Sequence, residues 1–251
     1  MRSNISLCRL LCYCKRLEQK ENPLHAHHQP RIRNQILAGL SDEVYQRLAP
    51  HLQTVDLAHA NIIYAIGGVI EYVYFPVHAV ISLVTEMSDG KIVEVGLVGN
   101  EGMSGIAALM GDETSPERAI VQIPDHAARA KLSVIQKEFQ RGEELQRLLL
   151  SYTRKLMIQM AQTAACNACH TAEERLARWL LMCQDRVESN ELNLTQEFIA
   201  EMLGTRRATV SQAAMVLQED GLIHYNRGHI KIMDRERLQS AGCECYSAAQ
   251  N

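Results

Sequence analysis

No apolar run in this chain approaches the roughly 20 residues that a membrane-spanning helix needs. The most apolar N-terminal stretch, Ile5 to Cys14, is short and is broken by Arg9. It does not read as a secretory leader. The protein is therefore expected in the cytoplasm, without membrane contact, and its eight cysteines as reduced thiols. Excess basic charge is also missing. The net charge is −3 over 251 residues, and residues 171–251 hold nine Lys plus Arg against twelve Asp plus Glu. Bulk charge thus argues mildly against nucleic-acid binding, a count offset by the clustering of Arg206, Arg207, Arg227 and Lys231. Enzyme signatures are absent too: there is no nucleophile elbow, phosphate loop or zinc-protease motif, and Gly67-Gly68 and Gly102 to Gly105 lack dinucleotide-loop spacing. His51, His59, His78 and His126 have no partners readable from sequence. Catalysis is not expected.

The hydrophobic fraction of 47% is that of an ordinary globular protein, long enough for two modest domains. Residues 1–34 read as a variable, flexible extension holding Pro23, Pro30 and the group His25, His27 and His28. A short helix is predicted over residues 35–48, with Ser41-Asp42 as an N-cap signal. From Thr54 short β-rich runs alternate with turn signals: Asn61 to Ile66, Tyr72 to Pro76, Ala79 to Val84, Lys91 to Val98, Ala119 to Ile123 and Ala130 to Leu132. Asp89-Gly90 between two such runs marks a hairpin. Regular short strands of this kind predict a barrel or roll.

From about Glu143 to His170 there is neither Gly nor Pro, so a long helix is predicted. Leu145, Leu149, Tyr152, Leu156 and Thr163 follow a spacing of threes and fours, interrupted by the polar Gln159. This is a coiled-coil-like seam for a second subunit, or else a face packed on its own domain.

Residues 194–232 are the most informative. Thr195 can cap a helix in which Ile199 and Leu203 share a buried face while Glu197 and Glu201 stay in water. Gly204 ends that helix at a sharp turn. Thr205 can cap a second helix from Arg206, with Val210, Ala214 and Leu217 on one apolar stripe. Arg206, Arg207, Thr209, Ser211 and Gln212 are left near its N-terminus and opposite face. Leu222 to Tyr225 and His229 to Ile232 can pair around Asn226-Arg227-Gly228. An ordinary αα-hairpin with solvated arginines is the plainer reading. The paired arginines, the wing and the long upstream helix favour a winged helix-turn-helix that docks double-stranded DNA through its second helix.

On these residues the sequence resembles the Crp/Fnr-type bacterial transcription regulators. The resemblance spans most of residues 35–240 and is strongest from Gln162 to Tyr246, including Glu174-Arg175-Leu176-Ala177-Arg178-Trp179-Leu180-Leu181. It implies an α+β fold: a cyclic-nucleotide-binding-like β-roll (35–140), a dimerisation helix (141–170), a winged helix-turn-helix (171–240) and a tail (241–251). It implies a homodimer on a two-fold operator, contacting RNA polymerase if it activates. Arg207 matches the family's guanine-reading arginine, and Ala208 replaces a glutamate that reads cytosine. Arg207, Thr209 and Gln212 are then expected on base edges. Arg206 and Ser211 fall on phosphate or flanking bases, and Thr195, Arg227 and Lys231 on the backbone.

Cyclic-nucleotide-binding relatives hold the ribose with a Gly-Glu pair and the phosphate with an arginine. Gly105 matches, but Ile106 stands in place of the glutamate, and Arg118 lies near the arginine's position beside Glu117. Gly105 and Arg118 are the candidate effector residues, and cyclic AMP is not expected. Cys166-Asn167-Ala168-Cys169-His170 fits the c-type haem pattern but lies within a predicted helix, so haem is not expected. Nor is an iron–sulfur cluster, since Cys8, Cys12 and Cys14 are spaced differently from oxygen-sensing relatives and no cysteine follows before Cys166. Cys243-Glu244-Cys245 is read as plain tail in preference to a redox pair or part of a metal site. No metal ligands are assigned. The rival reading is a small-molecule sensor acting through protein contacts, its winged helix degenerate.

Overall fold

The computed structural model describes residues 32–187 and 189–248. Cys8, Cys12, Cys14, the His25–His28 group and nearly all of the proposed extension lie outside them. The helix expected over 35–48 is two helices, α1 (Gln35–Ala38) and α2 (Asp42–Leu48). Asn34 explains the first. Its Oδ1 accepts from the Ile36 and Leu37 amides, and its Nδ2 donates to the Pro76 and Gly102 carbonyls at 3.0 and 2.9 Å. A fully buried amide side chain is thereby satisfied at both ends.

The strands expected from Thr54 onward are β1 (Gln53–Leu57), β2 (Ile62–Tyr64), β3 (Tyr72–Pro76), β4 (Val80–Glu86), β5 (Ile92–Val98), β6 (Arg118–Ile123) and β7 (Asp125–Lys131). They form two antiparallel sheets, ordered β1-β7-β3 and β2-β6-β4-β5. Side chains of both sheets meet in one core, including Val73, Phe75, Ala128, Ile81, Val98 and Val121. Asp89-Gly90 does turn the β4–β5 hairpin: Asp89 Oδ1 accepts from the Lys91 amide at 3.1 Å, and Gly90 has φ +82°. Leu132, expected in a strand, opens α3 (Leu132–Phe139) instead.

The four-stranded sheet is covered on both faces. Ile81, Leu83, Val98 and Val121 point into the roll. Val80, Val84, Leu97 and Ile120 point the other way, into a second core shared with the C-terminal half. That is why Val80-Ile81-Ser82-Leu83-Val84 reads as a continuous run rather than an alternation. The covering element is α5 (Ala172–Val187), in which Leu176 to Gln184 are all buried.

The long helix α4 (Glu144–Cys169) forms as expected. Its seam is corrected. Leu145, Leu149, Tyr152 and Leu156 are buried in the roll's own core, and half-buried Thr163 accepts from Arg178 Nη2 at 3.0 Å. Gln159 is no interruption. Its side chain brackets Leu97, accepting from the amide at 2.5 Å and donating to the carbonyl at 3.2 Å. β5 needs that pairing on the α4 side, where no neighbouring strand among the described residues continues the sheet.

Beyond α5 come β8 (Glu191–Asn193), α6 (Gln196–Met202), α7 (Arg207–Glu219), β9 (Ile223–Asn226), β10 (His229–Ile232), α8 (Arg235–Ala241) and α9 (Cys245–Ala248). β8 was not anticipated; it makes the wing three-stranded, ordered β8-β10-β9. Residues 241–248 are not a loose tail: Cys243, Cys245 and Tyr246 are buried.

Gln159→Leu should lower stability by about 1–3 kcal/mol, the cost of leaving a buried amide and carbonyl unpaired. Chemical denaturation followed by circular dichroism checks it; an unchanged midpoint would show that the pairing contributes nothing.

Candidate nucleic-acid interface

Thr195 caps α6 as the sequence suggested, its hydroxyl accepting from the Phe198 amide at 3.2 Å. Ile199, Met202 and Leu203 are buried. The turn follows at Gly204, where two demands coincide. Its φ is +58°, and an added Cβ would lie 2.9 Å from Val93 Cγ2 on the β4–β5 hairpin. Only glycine meets both. α7 begins one residue later than expected: Arg206, not Thr205, occupies the N-cap position, and its side chain makes no capping bond.

Val210, Ala213, Ala214 and Leu217 anchor α7 in the core. The other face, Arg206, Arg207, Ala208, Ser211, Gln212 and Met215, is exposed. Orphan first-turn amides and the positive end of the helix dipole lie at the same end as the two arginines. Thr209 is half-buried and, with Arg206, faces the groove bordered by the hairpin residues Met87 to Val93.

The wing is a two-residue hairpin. Asn226 pairs with His229, leaving Arg227 (φ +47°) and Gly228 (φ +88°) as the turn. Two left-handed residues are what the tightest hairpin turn requires. Arg227, a non-glycine, is held in that region and exposed at the tip. Tyr225 Oη donates to the Leu194 carbonyl at 2.8 Å, tying the wing to the start of α6. Thr195, Arg207 and Arg227 therefore line one concavity together with Glu197 and Tyr225. Arg207 Nε lies 3.8 Å from Glu197 Oε2, with both side chains about two-thirds exposed, a pair that water screens heavily. Lys231, exposed on β10, sits 3.4 Å from Glu191 Oε1 on β8.

The proposed effector residues do not come together. Gly105 and Ile106 line an apolar cavity of about 100 Å³ between the roll and α4, with Tyr64, Met103 and Met157. Arg118 is not among its lining residues; its guanidinium is bound to Glu86. Glu117 lines the cavity instead, and burial raises its carboxyl above the usual range. The glycines before Gly105 have another purpose. A Cβ on Gly99 would strike Arg186 at 2.5 Å and one on Gly102 would strike Tyr152 at 2.2 Å.

The anchors that hold α5 against the roll and against α6 were not visible in the sequence. Arg186 places Nη2 at 2.8 Å and Nε at 3.0 Å from Glu101 Oε1. Trp179 Nε1 donates to Glu94 Oε1 at 2.9 Å. Arg175 donates to the Leu203 carbonyl at the end of α6. Their partners lie 28 to 85 residues away in the chain, so no local pattern announces them.

Residues 174–241 match the model of the Crp-like helix-turn-helix domain. The chain is 24% identical over 214 residues to a CRP-like cAMP-activated global transcriptional regulator of Mycobacterium tuberculosis, covering 81% of this chain and 94% of the relative. The chain thus carries a Crp-like helix-turn-helix domain and is similar, over most of its length, to a CRP-like transcription regulator. Solved structures agree on the fold. FixK2 from Bradyrhizobium japonicum superposes with a TM-score of 0.65 at 21% identity, covering 76% of this chain and 98% of that one. The c-di-GMP responsive global regulator CLP of Xanthomonas campestris gives 0.62 at 17%, covering 77% and 100%. Among the described residues, no helix is long and apolar enough to cross a membrane.

The roll–α5 contact carries a pH dependence. Burial pushes the Glu94 carboxyl up to about 7 against the downward pull of Ser82, Trp179, Arg186 and Arg178. A carboxyl raised in the folded state stabilises that state fully below the ordinary glutamate range, and the contribution is lost as pH rises through about 7. The melting temperature should therefore fall across that window, and Glu94→Gln should flatten the fall. Calorimetry on both proteins at matched pH values tests it; parallel curves would exclude Glu94 as the source.

Proposed function

We propose that this protein is a transcription regulator that binds a two-fold operator as a homodimer, with α7 in the major groove. The observation that carries the reading is the exposed face of α7, flanked by Thr195 and the wing tip. Arg207, Thr209 and Gln212 reach base edges, Arg206 and Ser211 reach phosphate or flanking bases, and Thr195, Arg227 and Lys231 touch the backbone. Thr209 faces the groove between α7 and the β4–β5 hairpin. Ala208, exposed where the family has a cytosine-reading glutamate, gives this operator a different half-site. The sensor reading with a degenerate winged helix is disfavoured, because the motif here keeps its turn, its exposed arginines and its wing. The protein works in the cytoplasm, without catalysis, and as an activator would contact RNA polymerase.

The pairing face supported by the structure differs from the seam read in the sequence. With Leu145, Leu149, Tyr152 and Leu156 turned inward, α4 leaves a second stripe outside: Leu150, Arg154, Met157, Ala161, Ala164 and Ala168, all exposed. Their spacing alternates four and three without a break, as a two-stranded coiled coil requires. Leu150 and Met157 are 51% and 66% exposed, which is unusual for large apolar side chains and fits a face awaiting its partner. Cyclic AMP is not the proposed effector. The roll cavity falls well below the roughly 300–1,000 Å³ of small-molecule sites, Ile106 offers no ribose acceptor, and Arg118 is already paired.

Selection of bound sites from a random duplex pool should return a two-fold motif. Arg207→Ala should then cost about 1–3 kcal/mol on the best site and relax one position per half-site; an equal loss on random DNA would contradict base reading. Met157→Glu should shift the protein from dimer to monomer in analytical ultracentrifugation, placing a charge at the seam, and Leu145→Ala should not. A dimer unaffected by Met157→Glu would move the interface elsewhere.

A further inference from the structure

Four side chains that the DNA-binding reading leaves unused converge where α4 ends. Cys166 and His170 sit one helical turn apart at the C-terminal end of α4. Cys243, from the segment joining α8 to α9, and Cys245, which opens α9, arrive more than 70 residues later. Their ligand atoms all lie within 4.8 Å of one another. Cys166 Sγ is 3.5 Å from Cys243 Sγ, and Cys245 Sγ is 3.5 Å from His170 Nδ1. A tetrahedral zinc with Zn–S of ~2.3 Å and Zn–N of ~2.0–2.1 Å places its ligands about 3.3–3.8 Å apart. Three thiols and one imidazole are the donor set of a closed structural zinc site.

The surroundings complete the pattern. His170 turns Nδ1 toward the sulfurs, while Nε2 lies 3.3 Å from Glu244 Oε2. A carboxylate on the far ring nitrogen fixes the tautomer that leaves Nδ1 free to ligate. Gln162 Nε2 donates toward Cys245 Sγ at 3.1 Å, and Gln162 lies on the same helix one turn before Cys166. The guanidinium of Arg178 is buried, and its Nε has no hydrogen-bond partner among the described residues. Zinc with three thiolates carries one net negative charge, and this cation lies on α5 to balance it. Cys169, by contrast, is exposed and takes no part, so the C-x-x-C-H sequence is divided between the cluster and solvent.

We propose that Cys166, His170, Cys243 and Cys245 bind a structural zinc ion that clasps the end of α4 to the segment after α8. This departs from the sequence reading, which assigned no metal ligands and took Cys243-Glu244-Cys245 as tail. Three thiol protons are released on binding, with no change of oxidation state. The ion joins the helix that carries the proposed pairing face to the far end of the DNA-binding domain, across the α4–α5 junction.

The full-length protein, purified under reducing conditions without chelator, should contain about one zinc per chain by plasma mass spectrometry. Cys166→Ser and Cys245→Ser should lose it and Cys169→Ser should keep it. If the serine variants do not fold, the wild-type chain decides: stripped of metal and titrated with cobalt(II), it should develop the thiolate charge-transfer and intense visible bands of a tetrahedral sulfur site. Absence of both zinc and cobalt bands with all thiols reduced would overturn the proposal. So would a Cys166–Cys243 disulfide in the freshly isolated protein, or iron with acid-labile sulfide in place of zinc.

Discussion

Helix α5 has no free side. From Leu176 to Gln184 every residue is buried, because the helix closes the outer face of the four-stranded sheet and the inner face of the winged helix at once. Val80, Val84, Leu97 and Ile120 of the roll belong to the same core as Leu180, Ile199, Val210 and Leu217 of the DNA-binding half. Fully burying such side chains stabilises by about 1.5–3 kcal/mol each, so the two halves are held by apolar contact first and by polar bonds second. Trp179, Arg186 and Arg175 then fix the rotation of the helix through their bonds to Glu94, Glu101 and the Leu203 carbonyl.

The presentation of α7 follows from that constraint. Its apolar stripe is committed to α5, so its opposite face has to point outward. The β4–β5 hairpin reaches the start of α7 and packs on Gly204 through Val93. The roll and the helix-turn-helix thus touch directly, with no element between the hairpin and the turn before α7.

The recognition unit was legible because its signals are local. Thr195, Gly204, the Val210–Ala214–Leu217 stripe and the Asn226–Gly228 turn each act within one or two helical turns, and each is found where the pattern placed it, apart from the one-residue shift of the α7 cap. The long helix was legible as a helix but not in its orientation. It carries two interleaved stripes with the same spacing, and only the roll decides which is buried; the one rich in leucine went inward. Gln159 looked like a fault in a seam because its partner, the Leu97 backbone, lies 62 residues away. Gly99 and Gly102 carried no readable role, because the side chains their smallness makes room for, Arg186 and Tyr152, are distant in sequence. The cysteines were opaque for the same reason: i,i+4 spacing on α4 is a weak signal until a second pair, distant in sequence, folds onto it.

Side-chain bulk is graded along the outer stripe of α4. Leu150, Arg154 and Met157 occupy its beginning, while Ala161, Ala164 and Ala168 occupy its end. Two such rods lying side by side would stand apart where the bulky residues meet and pinch together where only methyl groups intervene. The narrow end is the one that leads into α5. In such a pair the separation of the two halves at that end would be gauged by alanine, the smallest side chain with a β-carbon.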